Sequence, residues 1–161
     1  MERVTDEVRA VGRRMVELMF EAEGIGLAAP QVGLGWRMFV AHVPANEEDR
    51  FEGTDPMTAT AAPVVYINPV LSEFSRDLVA YEEGCLSLPG IAGDVRRPSA
   101  VTIRAMGMDG KEFTMRAEGL VARCWQHEMD HLDGVLIIDK MTPGARLRNR
   151  AAVKQLQEEG G

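Results

Sequence analysis

The sequence predicts one α+β domain spanning residues 1–161, with mostly antiparallel strands around a central helix and a further helix near each end. Its 161 residues are enough for one substantial core and too few for two ordinary domains. Helical periodicity recurs in three segments, and short apolar runs lie between them. The dipeptide Asp109-Gly110 is a strong hairpin signal, and hairpins join antiparallel strands.

The predicted elements begin with a helix, a glycine-rich segment and a strand. Apolar residues recur at helical spacing between charged ones over the first twenty residues, so we expect an amphipathic helix that stops at Gly24. The segment 23–35, EGIGLAAPQVGLG, contains four glycines and a proline, which break regular structure and let the backbone approach a ligand closely. Residues 36–43 form a strand, and the polar, proline-bounded segment 44–63 forms a long exposed loop.

Strands dominate the middle of the chain. The apolar run 64–69, VVYINP, predicts a strand. Within residues 100–119, two runs flank Asp109-Gly110, whose residues tolerate the positive φ of a tight hairpin turn.

Two helices and a short strand complete the prediction. Residues 118–132 form a buried helix that ends at Gly134, and residues 135–139, VLIID, form a short strand. Thr142 followed by proline has the chemistry of a helix N-cap and first turn, so we expect a last helix running to residue 159.

The composition limits the classes of function. A net charge of −7 and a pI near 5.0 argue against a DNA-binding protein, which normally carries a basic surface. No stretch approaches 18 consecutive apolar residues, and the start of the chain lacks the uninterrupted apolar run of a signal peptide. We therefore expect no membrane association and a cytoplasmic location, although a mature organellar protein would look much the same. Two cysteines in a reducing compartment favour thiols over a disulfide.

The octet CWQHEMDH, residues 124–131, carries the strongest chemical signal. His127 and His131 are four residues apart, so on a helix both rings project from one face and can reach one metal ion. The pattern H-E-x-x-H is typical of metal-dependent hydrolases, in which Glu128 lies beside the metal site and acts as a base.

The third protein ligand is not decided by the octet. Cys124 lies seven residues before His131, about 10.5 Å along a helix axis, which is too far for its short side chain to share an ion with both histidines. We therefore expect Cys124 to be a packed thiol. Asp133, Asp139 and Cys85 are the remaining candidates.

Three segments together resemble the signature motifs of peptide deformylases. They are GIGLAAPQVG (24–33), EGCLSLPG (83–90) and QHEMDHLDG (126–134), in the family's order and at plausible spacings. The resemblance extends over roughly residues 15–158. It implies a metal-dependent hydrolase that removes the formyl group from the N-terminal formylmethionine of nascent polypeptides and releases formate.

The resemblance also implies a metal centre. Its ligands would be Cys85, His127 and His131, with a fourth position open to water. A set of one thiolate and two imidazoles suits zinc, iron(II), nickel or cobalt. We expect iron(II) in the cell, because the family works with ferrous iron although it is often isolated with zinc.

The family's other site residues transfer to specific positions of this chain. Glu128 would take a proton from the attacking water and deliver it to the departing amine. The side-chain amide of Gln31 and the backbone N–H of Leu86 would stabilise the oxyanion. Glycine at position 26 would offer backbone contact to the substrate, which places Gly26 in the substrate-binding set.

Two charged residues complete that set. Glu83 and Arg97 are expected to form an ion pair that braces the second motif, with Arg96 as an alternative partner. We expect Asp130 to be structural and Trp125 to lie in the core.

The last predicted helix carries four basic residues on an acidic protein, namely Arg146, Arg148, Arg150 and Lys154. The ordinary interpretation is a solvated charged face. The alternative is a transient ribosome contact, since the substrate emerges there.

Two other classes of function share part of this pattern. A metallopeptidase of another kind would also contain H-E-x-x-H, but it would usually recruit a histidine or carboxylate as third ligand. A structural zinc protein would need four protein ligands, and only Cys124 or His42 could serve as an additional soft ligand.

Overall fold

A computed structural model describes residues 3–44, 56–85, 88–135 and 140–150, and the backbone alone of residues 85 and 88–91. Within these residues the secondary structure comprises three α-helices and seven β-strands. The helices are α1 (Asp6–Glu21), α2 (Gly119–Leu132) and α3 (Pro143–Arg148). The strands are β1 (Gly26–Ala28), β2 (Met38–Ala41), β3 (Val64–Ser72), β4 (Leu78–Cys85), β5 (Leu88–Pro98), β6 (Ala100–Met106) and β7 (Glu112–Glu118).

The strands form two antiparallel sheets. The larger sheet has five strands in the order β1-β2-β3-β6-β7, and the smaller one is the β4–β5 hairpin. All strand neighbours in both sheets run antiparallel. The predicted α+β class with mostly antiparallel strands around a central helix is confirmed.

Helix α1 forms because its sequence combines an N-cap with an apolar stripe. The hydroxyl of Thr5 accepts a hydrogen bond from the backbone N–H of Val8 at 3.3 Å, satisfying one N–H group of the first turn. Val8, Met15 and Met19 are buried on the face that packs against the larger sheet. The helix ends before Gly24, as the sequence predicts.

Helix α2 is the central element, and its burial is extensive. Trp125 is fully buried and meets the ring of Tyr66 edge-to-face, with 5.8 Å between ring centroids. Cys124 is also buried, which confirms both residues as core components. The helix ends at Leu132, and Gly134 follows it with a φ of 74°, a conformation that favours glycine.

Two parts of the predicted loops are ordered elements. Residues 26–28 form the edge strand β1, and residues 29–32 form a 3-10 turn, because the small residues let this segment pair with β2. In the predicted exposed loop, Met57 and Thr60 are buried, so the prediction was wrong for residues 56–60. Their backbone N–H groups bond to carbonyls of residues 116 and 43, and these long-range partners leave no local pattern in the sequence.

Two further predicted features are present, and one hairpin was not predicted. The hairpin at Asp109-Gly110 and the Thr142 cap of α3 are present. The β4–β5 hairpin was not predicted, because β4 exposes apolar and charged side chains alike and shows no alternation. The predicted strand at 136–139 and the rest of the last helix beyond residue 150 lie outside the described residues, as do residues 45–55 of the loop. No helix among the described segments is long and apolar enough to cross a membrane.

Candidate active site

Helix α2 brings His127 and His131 together. Their Nε2 atoms are 3.3 Å apart, and the two rings meet at an interplanar angle of 66°. A carboxylate oxygen of Glu128 lies within 4.8 Å of one ring nitrogen of each histidine. Two imidazole nitrogens converging on one point, with a carboxylate beside them, fit a divalent metal ion.

The ring of His127 is oriented by a carboxylate from another element. Nδ1 of His127 lies 2.9 Å from Oε1 of Glu83 on β4. Since an ionised carboxylate only accepts hydrogen bonds, Nδ1 carries the proton and donates it. The proton-free Nε2 then points toward His131, in the state that a metal ligand requires.

Glu83 is held by two arginines. Arg97 from β5 donates two hydrogen bonds to its carboxylate, at 2.7 and 2.9 Å, and Arg123 from α2 donates a third. A further nitrogen of Arg97 bonds to the carboxylate of Asp130 at 2.8 Å. The expected ion pair of Glu83 and Arg97 is therefore present, and Asp130 has the structural role predicted for it.

The residues that surround Glu83 determine the pKa of its carboxyl. Burial alone raises the pKa of its carboxyl, but hydrogen bonds from His127, Arg97 and Arg123, together with the charge of Arg97, lower that pKa to about 2. Glu83 is therefore an anion at neutral pH, although its side chain is only 6% exposed. The negative charge of Glu83 stabilises positive charge on the ring of His127. A metal ion bound to that ring would produce such a charge.

Strand β4 also brings Cys85 toward the helix. Cys85 follows Glu83 by two residues, and Glu83 contacts His127 directly. Two residues of a strand span roughly 7 Å, so the backbone of Cys85 lies near the histidine pair. The strand register shifts between Gly84 and Cys85. The side chain of Cys85, and Leu86 as a whole, lie outside the described atoms.

Gly26 allows β1 to approach the helix. A Cβ atom at this position would lie 2.9 Å from Oε1 of Glu128 and 3.0 Å from Sγ of Cys124. A side chain at position 26 would push against the carboxylate of Glu128, so glycine lets the backbone of β1 lie against the predicted base. Burial, followed by the charges of Glu128 and Glu83, raises the pKa of the Cys124 thiol well above its ordinary value.

A cavity of about 480 Å³ opens beside these residues. It is lined by β1, β4 and α2, and both His127 and Glu128 are on its wall. The size suits a small ligand or one large side chain with its flanking backbone. The cavity therefore gives a ligand access to His127 and Glu128.

The whole-chain comparison decides the family. The sequence model of the polypeptide deformylases matches residues 1–146. The chain belongs to the polypeptide deformylase family. This confirms the predicted resemblance and the predicted class of activity: a metal-dependent hydrolase that removes the formyl group from nascent polypeptides.

Similar sequences carry the same family name. Peptide deformylase 2 of Gloeobacter violaceus is 45% identical over 158 residues, which cover 98% of this chain and 75% of that protein. A peptide deformylase of Caulobacter vibrioides is 46% identical over 155 residues, covering 96% of this chain and 83% of its own length.

Solved structures of deformylases share the fold. Peptide deformylase 1B of Arabidopsis thaliana has a TM-score of 0.86 at 33% identity and covers 99% of this chain and 82% of its own. The enzyme of Ehrlichia chaffeensis has a TM-score of 0.85 at 32% identity, with coverage of 99% and 87%. These values confirm the α+β fold of the deformylase.

Gln31 lies in the 3-10 turn that follows β1. Its side-chain oxygen accepts the backbone N–H of Ala28 at 2.8 Å. Because the carbonyl end of the amide is engaged in this way, the NH₂ end points away from Ala28. An orientation of this kind suits a donor role for the amide.

The alternative ligands and partners lie elsewhere. Asp133 pairs with Arg37 at 3.0 Å and is half exposed. Nδ1 of His42 bonds to the hydroxyl of Thr60 at 2.7 Å. Arg96, the alternative partner of Glu83, is exposed on β5. Asp139 lies outside the described residues.

The sequence reasoning missed Arg123. Its guanidinium contacts Glu83, the carbonyls of β4 and β5, and the ring of Tyr81 at 5.6 Å. The signal was available, because Arg123 precedes His127 by four residues and therefore lies on the same face of α2. A charged residue on the buried face of a helix is expected to have an ionic partner.

Proposed function

We propose that this deformylase acts on N-formylmethionyl peptides through one divalent ion held by Cys85, His127 and His131. The observation that carries the proposal is the 3.3 Å separation of the two Nε2 atoms, with Nδ1 of His127 hydrogen-bonded to Glu83. The position of Cys85 two residues after Glu83 on β4 supports the third ligand. When bound there, the ion supplies Lewis acidity that makes water a competent nucleophile at neutral pH.

Glu128 is the general acid–base in this proposal. One of its carboxylate oxygens lies within 4.8 Å of a ring nitrogen of each histidine, and the residue lines the cavity. It accepts a proton from the water that attacks the formyl carbon, and then delivers that proton to the departing amine. The C–N bond of the formamide breaks, and formate and a free N-terminal methionine leave.

The oxyanion of the tetrahedral intermediate requires hydrogen-bond donors. We assign this role to the side-chain NH₂ of Gln31 and the backbone N–H of Leu86. The orientation of the Gln31 amide by Ala28 supports the assignment. Donors fixed in this way stabilise charge as it develops without reorganising during the reaction.

The substrate would bind between β1 and β4. Strand β1 lies at the edge of the larger sheet, beside Glu128, so an extended peptide can add to it as a further strand. The 480 Å³ cavity would receive the methionine side chain. We predicted Glu83 and Arg97 as substrate-binding residues. Their buried bonds to each other, and the bond of Glu83 to His127, support a role in shaping the cavity wall and in orienting His127.

The metal and the cellular setting are further parts of the proposal. Iron(II) is the expected ion in the cell, with zinc, nickel or cobalt able to occupy the same donors. A cytoplasmic location is also part of the proposal. Arg146, Arg148 and Arg150 are exposed on α3 or just after it, and Lys154 lies outside the described residues. These four basic residues would support transient ribosome contact. Replacing all four should reduce co-sedimentation with ribosomes, and unchanged co-sedimentation would contradict that contact.

Formate release from formyl-Met-Ala-Ser tests the central proposal. The protein is purified without oxygen, and its metal content is measured on the same sample. We expect turnover that stops on chelation and returns when iron(II) or nickel is added. The variant Cys85→Ser should lose metal and activity together, whereas Cys124→Ser should keep the metal. Full metal retention in the Cys85→Ser protein would contradict the proposed ligand set.

A further inference from the structure

The β4–β5 hairpin and helix α2 supply different parts of the site and are separate elements of the fold. The hairpin is a sheet of its own, beside the five-stranded sheet. In the proposed function it carries Cys85, whereas α2 carries His127 and His131. The three ligands can therefore meet only if α2 holds one particular position relative to the hairpin.

The first turns of α2 are attached to the hairpin by Arg123. Its guanidinium donates to the carbonyl of Val95 on β5 at 3.0 Å and to the carbonyl of Val79 on β4. An attachment at one end of a helix leaves the other end free to pivot. A second attachment to the hairpin backbone, further along α2, is needed to fix the turn that carries His127.

Gln126 provides that second attachment. Its side-chain nitrogen donates to the carbonyl of Pro98, the last residue of β5, at 3.0 Å. The same nitrogen donates to the carbonyl of Ala122, one turn earlier in α2, at 3.1 Å. Gln126 is only 6% exposed. Because each of its two amide protons has an acceptor, the buried amide is held in one orientation against the backbone of β5.

The position of Gln126 in α2 links this attachment to the site. Successive residues of a helix point about 100° apart, so Gln126 and His127 extend toward two different strands. Gln126 reaches the end of β5, and His127 reaches Glu83 on β4 across 2.9 Å. Asp130 also bonds to β5, through the guanidinium of Arg97. That link joins two side chains, whereas Gln126 bonds to the strand backbone itself.

We propose that Gln126 is a positioning residue of the metal centre. It fixes α2 at the position and rotation at which Nδ1 of His127 meets Glu83 and Nε2 faces His131. The inference rests on the proposed function, in which both histidines bind the ion. A movement of α2 by about 1 Å away from β4 would stretch the 2.9 Å bond beyond hydrogen-bonding distance and would separate the helix ligands from the hairpin.

Two substitutions of Gln126 test this role. Methionine is close to glutamine in length and volume but donates no hydrogen bond, so Gln126→Met removes the attachment to Pro98 without leaving a large cavity. Gln126→Asn keeps the amide on a side chain that is one methylene shorter and draws it away from Pro98. It decides the question if Gln126→Met does not fold.

Asn149 offers a matched control, because it makes the same pair of bonds at another helix. Its side-chain nitrogen donates to the carbonyl of Ala92 on β5 and to the carbonyl of Ala145 in α3, both at 2.8 Å. Asn149 is 9% exposed, so its burial is similar to that of Gln126. Asn149→Leu therefore removes a comparable bond to β5 from a helix that carries none of the proposed ligands. Both variants should lower the urea midpoint of unfolding.

Two readouts distinguish positioning from a general loss of stability. Zinc(II) affinity is measured by competition with a chelator. It should fall about 10- to 100-fold in both Gln126 variants and stay within about twofold in Asn149→Leu. In the metal-free protein with isotope-labelled histidine, NMR follows the Nδ1 proton of His127. This proton should exchange slowly with solvent in the unaltered chain and in Asn149→Leu, and rapidly in the Gln126 variants.

Unchanged zinc affinity and unchanged proton exchange in the Gln126 variants would overturn the inference. Equal losses in Gln126→Met and Asn149→Leu would also overturn it, because they would assign the effect to stability alone. The exchange measurement needs neither metal nor turnover. If the unaltered protein releases no formate, the proposed function fails, and proton exchange still decides whether Gln126 positions His127.

Discussion

Glu83 and His127 come from different elements and meet across 2.9 Å. Strand β4 supplies the carboxylate, and helix α2 supplies the imidazole. The contact places the ring proton on Nδ1 and leaves Nε2 facing His131. The metal-binding ability of the helix is therefore linked to the hairpin that also carries Cys85.

Neutralising Glu83 should weaken metal binding. In Glu83→Gln the negative charge that polarises His127 is lost, and we expect a 10- to 100-fold lower metal affinity. Competition with a chelator measures this affinity. Glu82→Gln is the matched control, since Glu82 is the exposed neighbour on the same strand. Equal affinities in the two variants would contradict the role of Glu83.

Removing Arg97 should destabilise the fold strongly. Arg97→Met removes two of the hydrogen bonds to the buried carboxylate of Glu83, which keeps Arg123 and His127, and it removes the ion pair of Arg97 with Asp130. Breaking a buried pair in this way costs about 3–5 kcal/mol of unfolding free energy. Urea unfolding of Arg97→Met and of the exposed Arg96→Met provides the comparison. The second change should stay within about 0.5 kcal/mol, and similar midpoints for both would refute the prediction.

The low pKa of Glu83 predicts how the stability of the metal-free protein depends on pH. Its carboxyl has an ordinary pKa of 4.5, and in the folded protein this pKa is about 2. The unfolded state therefore takes up the proton first as pH falls, and stability is lost between about pH 5 and pH 2. The stabilisation present above this range is about 3 kcal/mol.

Urea unfolding at several pH values between 2 and 7 tests this dependence. Replacing Glu83 by glutamine should flatten the decline below pH 5, whereas replacing Glu82 should leave it unchanged. A decline of the same depth in both variants would assign the effect to other carboxylates.

Glu128→Gln should separate metal binding from catalysis. The amide keeps the size of the side chain but cannot accept the proton, so we expect kcat to fall by about 10² to 10⁴. Metal content should stay near that of the unaltered protein, because the proposed ligands are unchanged. Substantial activity in a metal-loaded Glu128→Gln protein would rule out the assigned base.

Gly26→Ala should affect activity more than stability. The new Cβ would lie 2.9 Å from Oε1 of Glu128, so the carboxylate must move. Displacing a catalytic group by about 1 Å costs on the order of a hundredfold in rate, so we expect kcat/KM to fall by up to that factor. Gly35→Ala is the control, because a Cβ there meets no atom within 4 Å. Equal kcat/KM values in the two variants would show that the close approach at Gly26 is dispensable.

Much of the fold was readable from local patterns. The Thr5 cap and apolar stripe of α1, the Asp109-Gly110 turn and the ends of α2 are encoded within a few neighbouring residues. The β4–β5 hairpin was not readable, since its exposed strand lacks alternation. The burial of Met57 was also not predicted, because its partner on β7 lies about sixty residues away in the chain and leaves no local pattern.

The sequence by itself determined the chemistry of the helix. The spacing of His127 and His131 places both rings on one face, because a helix turns once in about 3.6 residues. The sequence also determined the family, because the three motifs at residues 24–33, 83–90 and 126–134 can be recognised without a structure. The third ligand came from that resemblance, since no local spacing links position 85 to the helix.

Only the tertiary structure decided which charges support the site. Arg97 and Arg96 are adjacent and chemically equivalent in the sequence, and alternation along β5 turns only Arg97 toward Glu83. Arg123 became part of the site because helix packing buries its guanidinium against β4 and β5. Contacts between distant segments depend on how the elements pack, which spacing along one chain does not specify.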